Sequence, residues 1–204
     1  RFYFYQSKGK SKKNIVVALY LETVTMMAAA AILFLAVLMV HRELGLFSWD
    51  GGWLVLLCLL GFALLHPSIL QKTLNWVLLK WKREPVSLSI SYSQILWILC
   101  ICILSWMVGG IGFYLFVTSV HPVLPHYILF LTGALAASSM LGLMAIFAPS
   151  GLGVREGALV YLLSFLMAPP IAVILSVLTR IWMTLIEIGM IGVIYLFRKF
   201  KGKP

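Results

Sequence analysis

The chain has 204 residues, of which 62% are hydrophobic and only 11% are charged, and its mean hydropathy is +1.04. A soluble globular domain is nearer half apolar and a quarter charged, so this composition excludes that class and predicts a multi-pass helical membrane protein. The formal net charge of +10 does not indicate a nucleic-acid partner, because most of the Lys and Arg residues flank apolar runs, as cytoplasmic loops do under the positive-inside rule.

Two membrane helices are predicted in the first third of the chain. The first is placed at about 15–40 and carries Glu22 as its only acidic residue. A short polar loop at 41–50 separates it from a second helix at about 51–71. His66-Pro67 predicts a kink or an end near the C-terminus of this second helix, because proline removes a backbone donor and clashes with the preceding turn.

The middle of the chain combines a polar segment with two further helices. Residues 72–92 are polar and basic and are predicted to form the longest loop, in which an amphipathic stretch around Leu74–Trp81 is suited to lie on the membrane surface. A third helix follows at about 93–119 and a fourth at about 127–148. Small residues spaced by four in the fourth helix predict close helix packing. They are the pairs Gly133/Ala137 and Ser138/Gly142, and Ser139 adds one more small residue to the same helix.

An interrupted or re-entrant helix is predicted near 149–170. The apolar run at 157–168 is long enough to span only about 18 Å, against a hydrocarbon core of about 30 Å. Pro169-Pro170 separates it from a last long helix at about 171–197. We expect the short and long segments to form a broken pair, as in transporters that direct helix ends at charged ligands. The alternative is a tilted short helix in a locally thinned bilayer.

These elements predict an all-α fold, a polytopic helical membrane bundle with about six transmembrane segments. Residues 1–204 are predicted to form a single integral membrane domain. With six passes, both termini and the 72–92 loop lie on the side richest in Lys and Arg, so both termini are predicted to be cytoplasmic.

The last helix carries charge within its apolar span. Arg180 and Glu187 are seven residues apart and project from one face, with Thr184 between them. Charged residues inside membrane helices usually face the bundle interior and pair with another group. The Arg180 guanidinium is suited to contact a lipid phosphate. The alternative is a structural ion pair with Glu156 or Glu22.

A charged, glycine-rich loop follows the fourth helix. Its glycines permit positive φ angles or a close approach of the backbone, and free N–H groups there could hold an anion. Glu156 has a simpler explanation as well, because a carboxylate at the start of a helix complements the helix dipole. The loop is Pro149-Ser150-Gly151-Leu152-Gly153-Val154-Arg155-Glu156-Gly157.

This loop resembles the P-G-G-L-G-V-R-E-G signature of the lysylphosphatidylglycerol synthase transmembrane-region family, also called the flippase-like domain family. The resemblance extends to the small-residue helix Ala134–Pro149, to Arg180, which matches a family arginine, and back to Leu19–Glu22. Ser150 stands where the family has glycine, and Thr23 stands where arginine is common.

The resemblance implies a wider architecture and a function. Members have about eight membrane helices, so the chain corresponds to the later six, and we expect N-terminal helices to precede Arg1 in the full-length protein. The family implies binding or translocation of lipids with polar heads, such as aminoacylated phospholipids or polyprenyl-linked sugars. We therefore expect a protein of the bacterial or archaeal cytoplasmic (inner) membrane whose partners are anionic phospholipids or polyprenyl-linked lipids.

The leading hypothesis is a lipid translocase in which a polar groove carries the headgroup. The candidate groove residues are Glu22, Arg155, Glu156, Arg180, Thr184 and Glu187, beside a motif loop formed by Pro149, Ser150, Gly151, Gly153 and Gly157. The alternative is a non-catalytic accessory subunit of a larger membrane complex, whose partners would be other membrane proteins.

An enzyme is the weaker interpretation. The chain contains no HExxH, GxSxG or P-loop motif. Asp50 is the only aspartate, which argues against a metal-dependent transferase. We expect no cofactor, no metal ion and no nucleic-acid partner.

Overall fold

The structure is a computed structural model, and it describes residues 12–41, 65–80, 90–145 and 151–201. Within these segments the chain forms helices and no strand, which confirms the all-α prediction. The helices are α1 (Lys12–Val40), α2 (Pro67–Lys80), α3 (Tyr92–Val120), α4 (Ile128–Met144), α5 (Val154–Leu163) and α6 (Pro169–Lys201), with a 3-10 turn at Pro125–Tyr127 before α4.

Four of the described helices are long and apolar enough to cross a bilayer, which confirms the helical membrane bundle. The corresponding spans are Ile15–Val40, Tyr92–Val120, Pro125–Met144 and Pro169–Tyr195. The predicted helices at 15–40, 93–119, 127–148 and 171–197 match these spans to within a few residues where the structure describes them. The predicted total of about six passes stays a prediction, because residues 42–64 lie outside the described segments.

The break predicted at His66-Pro67 is present, because Leu65 and His66 lie in a turn and α2 begins at Pro67. The loop predicted over 72–92 is wrong as far as Lys80, where α2 ends, and α2 contains most of the amphipathic stretch predicted around Leu74–Trp81. Proline is favoured in the first turn of a helix, because its missing N–H would have no intrahelical partner there and its fixed φ already suits the helix. The same reason explains why α6 begins at Pro169 rather than after the Pro-Pro pair.

Helix α4 lies at the centre of the bundle and packs against α1, α3 and α5. Its small residues bring the neighbouring helices close. A Cβ added at Gly133 would lie 2.5 Å from Cγ2 of Val37 on α1, and a Cβ at Gly110 of α3 would overlap Thr132. The predicted packing role of Gly133 is therefore confirmed, and Gly110 supplies the equivalent close contact from α3.

One face of α3 is covered by none of the described helices. Trp97, Ile101, Leu104 and Val108 recur at helical spacing along this face and are each at least 60% exposed. In a membrane protein such a face suits contact with lipid acyl chains, because the acyl chains are as apolar as these side chains.

The adjacent glycines of α3 offer a matched test of this packing. Gly110→Ala is expected to destabilise the protein by about 1–3 kcal/mol, because Thr132 on the buried face of α4 would have to shift. Gly109→Ala is expected to be neutral or to stabilise the protein by up to about 1 kcal/mol, since a Cβ there meets no atom within 4 Å. Unfolding by SDS in mixed micelles measures both; equal effects would contradict the close contact between α3 and α4.

Candidate functional site

The motif loop packs directly against the backbone of α4. A Cβ at Gly151 would overlap the main chain of Gly142, and a Cβ at Gly142 would lie 2.8 Å from Cβ of Arg155. The two glycines thus let the start of α5 approach the end of α4 more closely than side chains would permit. Gly142 was predicted as a packing residue, and the structure identifies the motif loop as what it packs against.

Two motif glycines also adopt backbone conformations that side chains disfavour. Gly151 has φ +66° and Gly153 has φ +86°. Positive φ is costly for residues with a Cβ and nearly free for glycine. These two positions reverse the chain so that α5 begins at Val154, as the sequence indicated.

Glu156 makes three polar contacts, one that caps the start of α5 and two that join α5 to α6. Its Oε2 accepts a hydrogen bond of 2.7 Å from the N–H of Gly153, and its Oε1 forms an ion pair with the Nη1 of Arg180. The hydroxyl of Ser176 donates to the Glu156 main-chain oxygen at 3.1 Å. The capping role and the ion pair with Arg180, two alternatives from the sequence, are therefore both present.

The position of Arg180 indicates the depth of the motif loop. Arg180 lies eleven residues beyond Pro169 in the apolar span Pro169–Tyr195, which corresponds to about 17 Å along α6 or about half of a hydrocarbon core. Because Glu156 pairs with Arg180, the start of α5 lies near the middle of that span. Helix α5, with 10 residues, then returns to the end at which α6 begins. This arrangement is that of the predicted interrupted helix, because α5 covers less than half of the length of the α6 span; the depth of α5 in a bilayer stays a prediction.

Arg155 contributes a second positive charge beside the ion pair. Its side chain is half-buried against Gly142, and the charges that act on it are those of Arg180, Glu156 and Glu187. Among the described residues the Arg155 guanidinium forms no hydrogen bond or ion pair. Since Arg180 is paired with Glu156, Arg155 is left without a direct charged partner among the described residues, and Glu187 acts on it only through space.

The remaining candidates lie around this cluster or away from it. Thr184 is exposed, and its hydroxyl donates to the main-chain oxygen of Arg180 at 2.9 Å. Glu187 is exposed one turn further along α6, within electrostatic range of Arg155. Gly157 is exposed on α5, in open space. Glu22 is exposed on α1 and is not among the charges that act on Arg155 or Glu156. Pro149 and Ser150 lie outside the described residues.

The sequence interpretation missed Ser176 and the contact between Gly142 and Gly151. Ser176 is buried and precedes Arg180 by four residues, so the two lie on the same face of α6. This spacing could have identified Ser176 from the sequence. The meeting of the two glycines is a tertiary contact without a local sequence signal. Within the described segments, no three His, Cys, Asp or Glu side chains come together in a way that suits a metal ion.

Comparison with protein families gives one match. The model of the family described as Lysylphosphatidylglycerol synthase TM region matches residues 1–189. The matched region includes the motif loop, α5 and both charged residues within the span of α6. The comparisons with curated proteins and with solved structures found no match.

Breaking the Glu156–Arg180 pair is expected to destabilise the bundle. Glu156→Gln leaves Arg180 without its charged partner, and the expected loss is about 2 kcal/mol, since the two side chains are only 20% and 29% exposed. A double-mutant cycle with Arg180→Gln isolates the pair, and a coupling free energy of about 1–3 kcal/mol is expected in SDS unfolding. Glu187→Gln, an exposed carboxylate on the same helix, is the control and is expected to change stability by less than about 0.5 kcal/mol. Additive single effects at Glu156 and Arg180 would argue against the pair.

The motif glycines allow backbone strain to be tested separately from packing. Gly153→Ala is expected to cost about 1–2 kcal/mol, because φ is +86° while a Cβ there would have open space around it. Gly157→Ala, within α5 and equally open, is the matched control and is expected to be neutral or to stabilise the protein by up to about 1 kcal/mol. SDS unfolding again measures both, and a tolerated Gly153→Ala would show that the loop does not require this conformation.

Proposed function

Because the chain belongs to the lysylphosphatidylglycerol synthase TM region family, we propose that it binds a polar-headed lipid or lipid-linked intermediate and translocates it across the bilayer. The chain is a multi-pass membrane protein of a lipid-related family. The proposal has three further parts: the chain translocates the lipid, both of its termini face the cytoplasm, and it resides in a bacterial or archaeal cytoplasmic membrane.

The observation that carries the proposal is the half-buried guanidinium of Arg155, which lies beside the Glu156–Arg180 pair and makes no hydrogen bond or ion pair with the described residues. A charged side chain at membrane depth is costly unless it meets an opposite charge or a water-filled cavity. The phosphate of a lipid headgroup supplies that charge, and a guanidinium can bind it through two parallel hydrogen bonds. We therefore assign the phosphate contact to Arg155, since Glu156 already occupies Arg180.

The position of the cluster supports a route across the membrane. The start of α5 directs the positive end of its helix dipole towards mid-span, where a negative headgroup is favoured. Thr184 and Glu187 continue the row of polar side chains along α6, about 6 Å and 10 Å beyond Arg180. In this proposal the headgroup follows that row while its acyl chains stay beside the exposed apolar residues of α6. Glu22 is given no role in this route.

The test compares lipid translocation by Arg155 variants. The purified chain is reconstituted in vesicles that contain phosphatidylglycerol with a fluorescent acyl chain, and dithionite reduction reports lipid that reaches the outer leaflet. Arg155→Gln is expected to slow translocation by about 10–100-fold, because one charge-assisted contact is lost. Arg155→Lys is expected to translocate lipid at a rate between those of the wild type and Arg155→Gln, since lysine keeps the charge but lacks the planar guanidinium that binds a phosphate through two hydrogen bonds.

Controls separate a functional loss from a folding defect. Gly109→Ala, which faces open space on α3, is expected to translocate lipid like the wild type. SDS unfolding of Arg155→Gln is expected to show a protein at least as stable as the wild type, because a half-buried charge is removed. A wild-type rate for Arg155→Gln would refute the assigned contact. A wild-type protein no faster than protein-free vesicles would count against translocation itself.

An accessory subunit is the second candidate, and the second half of α6 favours it. Leu185, Ile188, Ile191 and Tyr195 are all at least 60% exposed there, and Glu187 is exposed among them. A carboxylate on an outward apolar surface is costly in lipid and suits a partner helix that carries a cation. A stoichiometric membrane protein that copurifies with the wild type and is released by Glu187→Ala would support this role. A chain that purifies alone would count against it.

A further inference from the structure

Helix α2 lies at the end of the bundle where α1 and α3 begin. The Tyr20 hydroxyl lies 2.5 Å from Oγ1 of Thr73 on α2, and Tyr20 is the sixth residue of the span Ile15–Val40. The ring of His66, just before α2, lies 5.7 Å from the ring of Tyr92, the first residue of the α3 span. Helix α2 is therefore at the level of a membrane surface. With 14 residues it is also too short to span.

The two faces of α2 differ sharply in burial. Leu70, Leu74 and Leu78, spaced by four, are at most 8% exposed and face the bundle. The outward face carries Trp76, which is 65% exposed, and Leu79, which is 62% exposed. Large apolar side chains at the end of a membrane bundle are typical of an interfacial helix.

Lysines accompany these apolar side chains on the outward face. Lys72 and Lys80 are exposed, and the Nζ of Lys80 lies 5.4 Å from the centroid of the Trp76 ring. A shallow groove runs along this face of α2. The groove is lined by Ser68, Gln71, Lys72, Asn75, Trp76 and Leu79. It thus combines hydrogen-bonding groups and a cation with an apolar floor.

Charge complementarity indicates what covers this face. The segment that leads into α1 carries five Lys and Arg within residues 1–13, and residues 72–83 carry four, with no acidic residue in either segment. Basic residues that flank apolar runs in this way favour an anionic membrane surface. We propose that the outward face of α2 binds anionic phospholipids at the membrane surface. Lys72 and Lys80 contact the headgroup phosphates, and Trp76 and Leu79 enter the region between headgroups and acyl chains. This site is separate from the Arg155 cluster and does not depend on translocation.

The test measures which lipid lies beside Trp76. The full chain is reconstituted in phosphatidylcholine vesicles with phosphatidylglycerol as about a quarter of the lipid, and bromine is placed on the acyl chains of one lipid or the other. The difference between wild type and Trp76→Phe gives the fluorescence of Trp76 alone. Brominated phosphatidylglycerol is expected to quench this signal at least about twofold more than brominated phosphatidylcholine at equal mole fraction. In Lys72→Gln/Lys80→Gln the two lipids are expected to quench equally.

Trp97 provides the matched control, because it is 70% exposed on the apolar face of α3. That face carries no counterpart of Lys72 and Lys80 of α2. The signal of Trp97, obtained from Trp97→Phe, is expected to show no preference between the two lipids. If neither brominated lipid quenches Trp76, protein covers the face and the proposal is overturned. Equal quenching of Trp76 by both lipids in the wild type would overturn it as well, since the face would then lack anionic selectivity.

Discussion

The Glu156 carboxylate holds the interrupted part of the bundle in place, because its two oxygens serve two different helices. One oxygen accepts the N–H of Gly153 at the start of α5, and the other binds Arg180 on α6. Backbone groups that lie at membrane depth must find partners within the protein, since the bilayer offers no water. The Glu156 contacts, with Ser176 on its main-chain oxygen, supply such partners where the chain leaves regular helix.

The different surroundings of Arg155 and Glu156 follow from helix geometry. Consecutive residues of a helix project about 100° apart, so one of them can face α6 while its neighbour faces α4. Glu156 reaches Arg180, whereas Arg155 lies against Gly142. A single turn therefore supplies both the carboxylate that joins α5 to α6 and a cation that remains available to a ligand. The glycines at 142 and 151 are required for this turn to lie so close to α4.

Local physical rules predicted much of the fold, and tertiary contacts account for the rest. Long apolar runs placed α1, α3, α4 and α6, and the small-residue spacing predicted close packing at Gly133. The break at His66-Pro67 was predicted, but the helix that follows it to Lys80 was interpreted as a loop, although proline is favoured in the first turn of a helix. The partner of Arg180 stayed open between Glu156 and Glu22, because both are acidic and sequence separation does not decide which one the fold brings near. A ligand of Arg155 could not be predicted from the sequence either, since a positive charge by itself does not identify the anion that it binds.

The cationic residues at the two sites differ in how much free energy their surroundings cost them. Lys72 and Lys80 are exposed at a membrane surface, where a lysine loses little hydration and needs no partner. Their presence alone would indicate only topology, and it is the exposed Trp76 and Leu79 beside them that point to a lipid surface. Arg155 is the opposite case. A half-buried guanidinium close to the middle of an apolar span costs free energy in every state that lacks an anion. Because Glu156 is already bound to Arg180, the proposed function gives the role of offsetting this cost to a ligand phosphate.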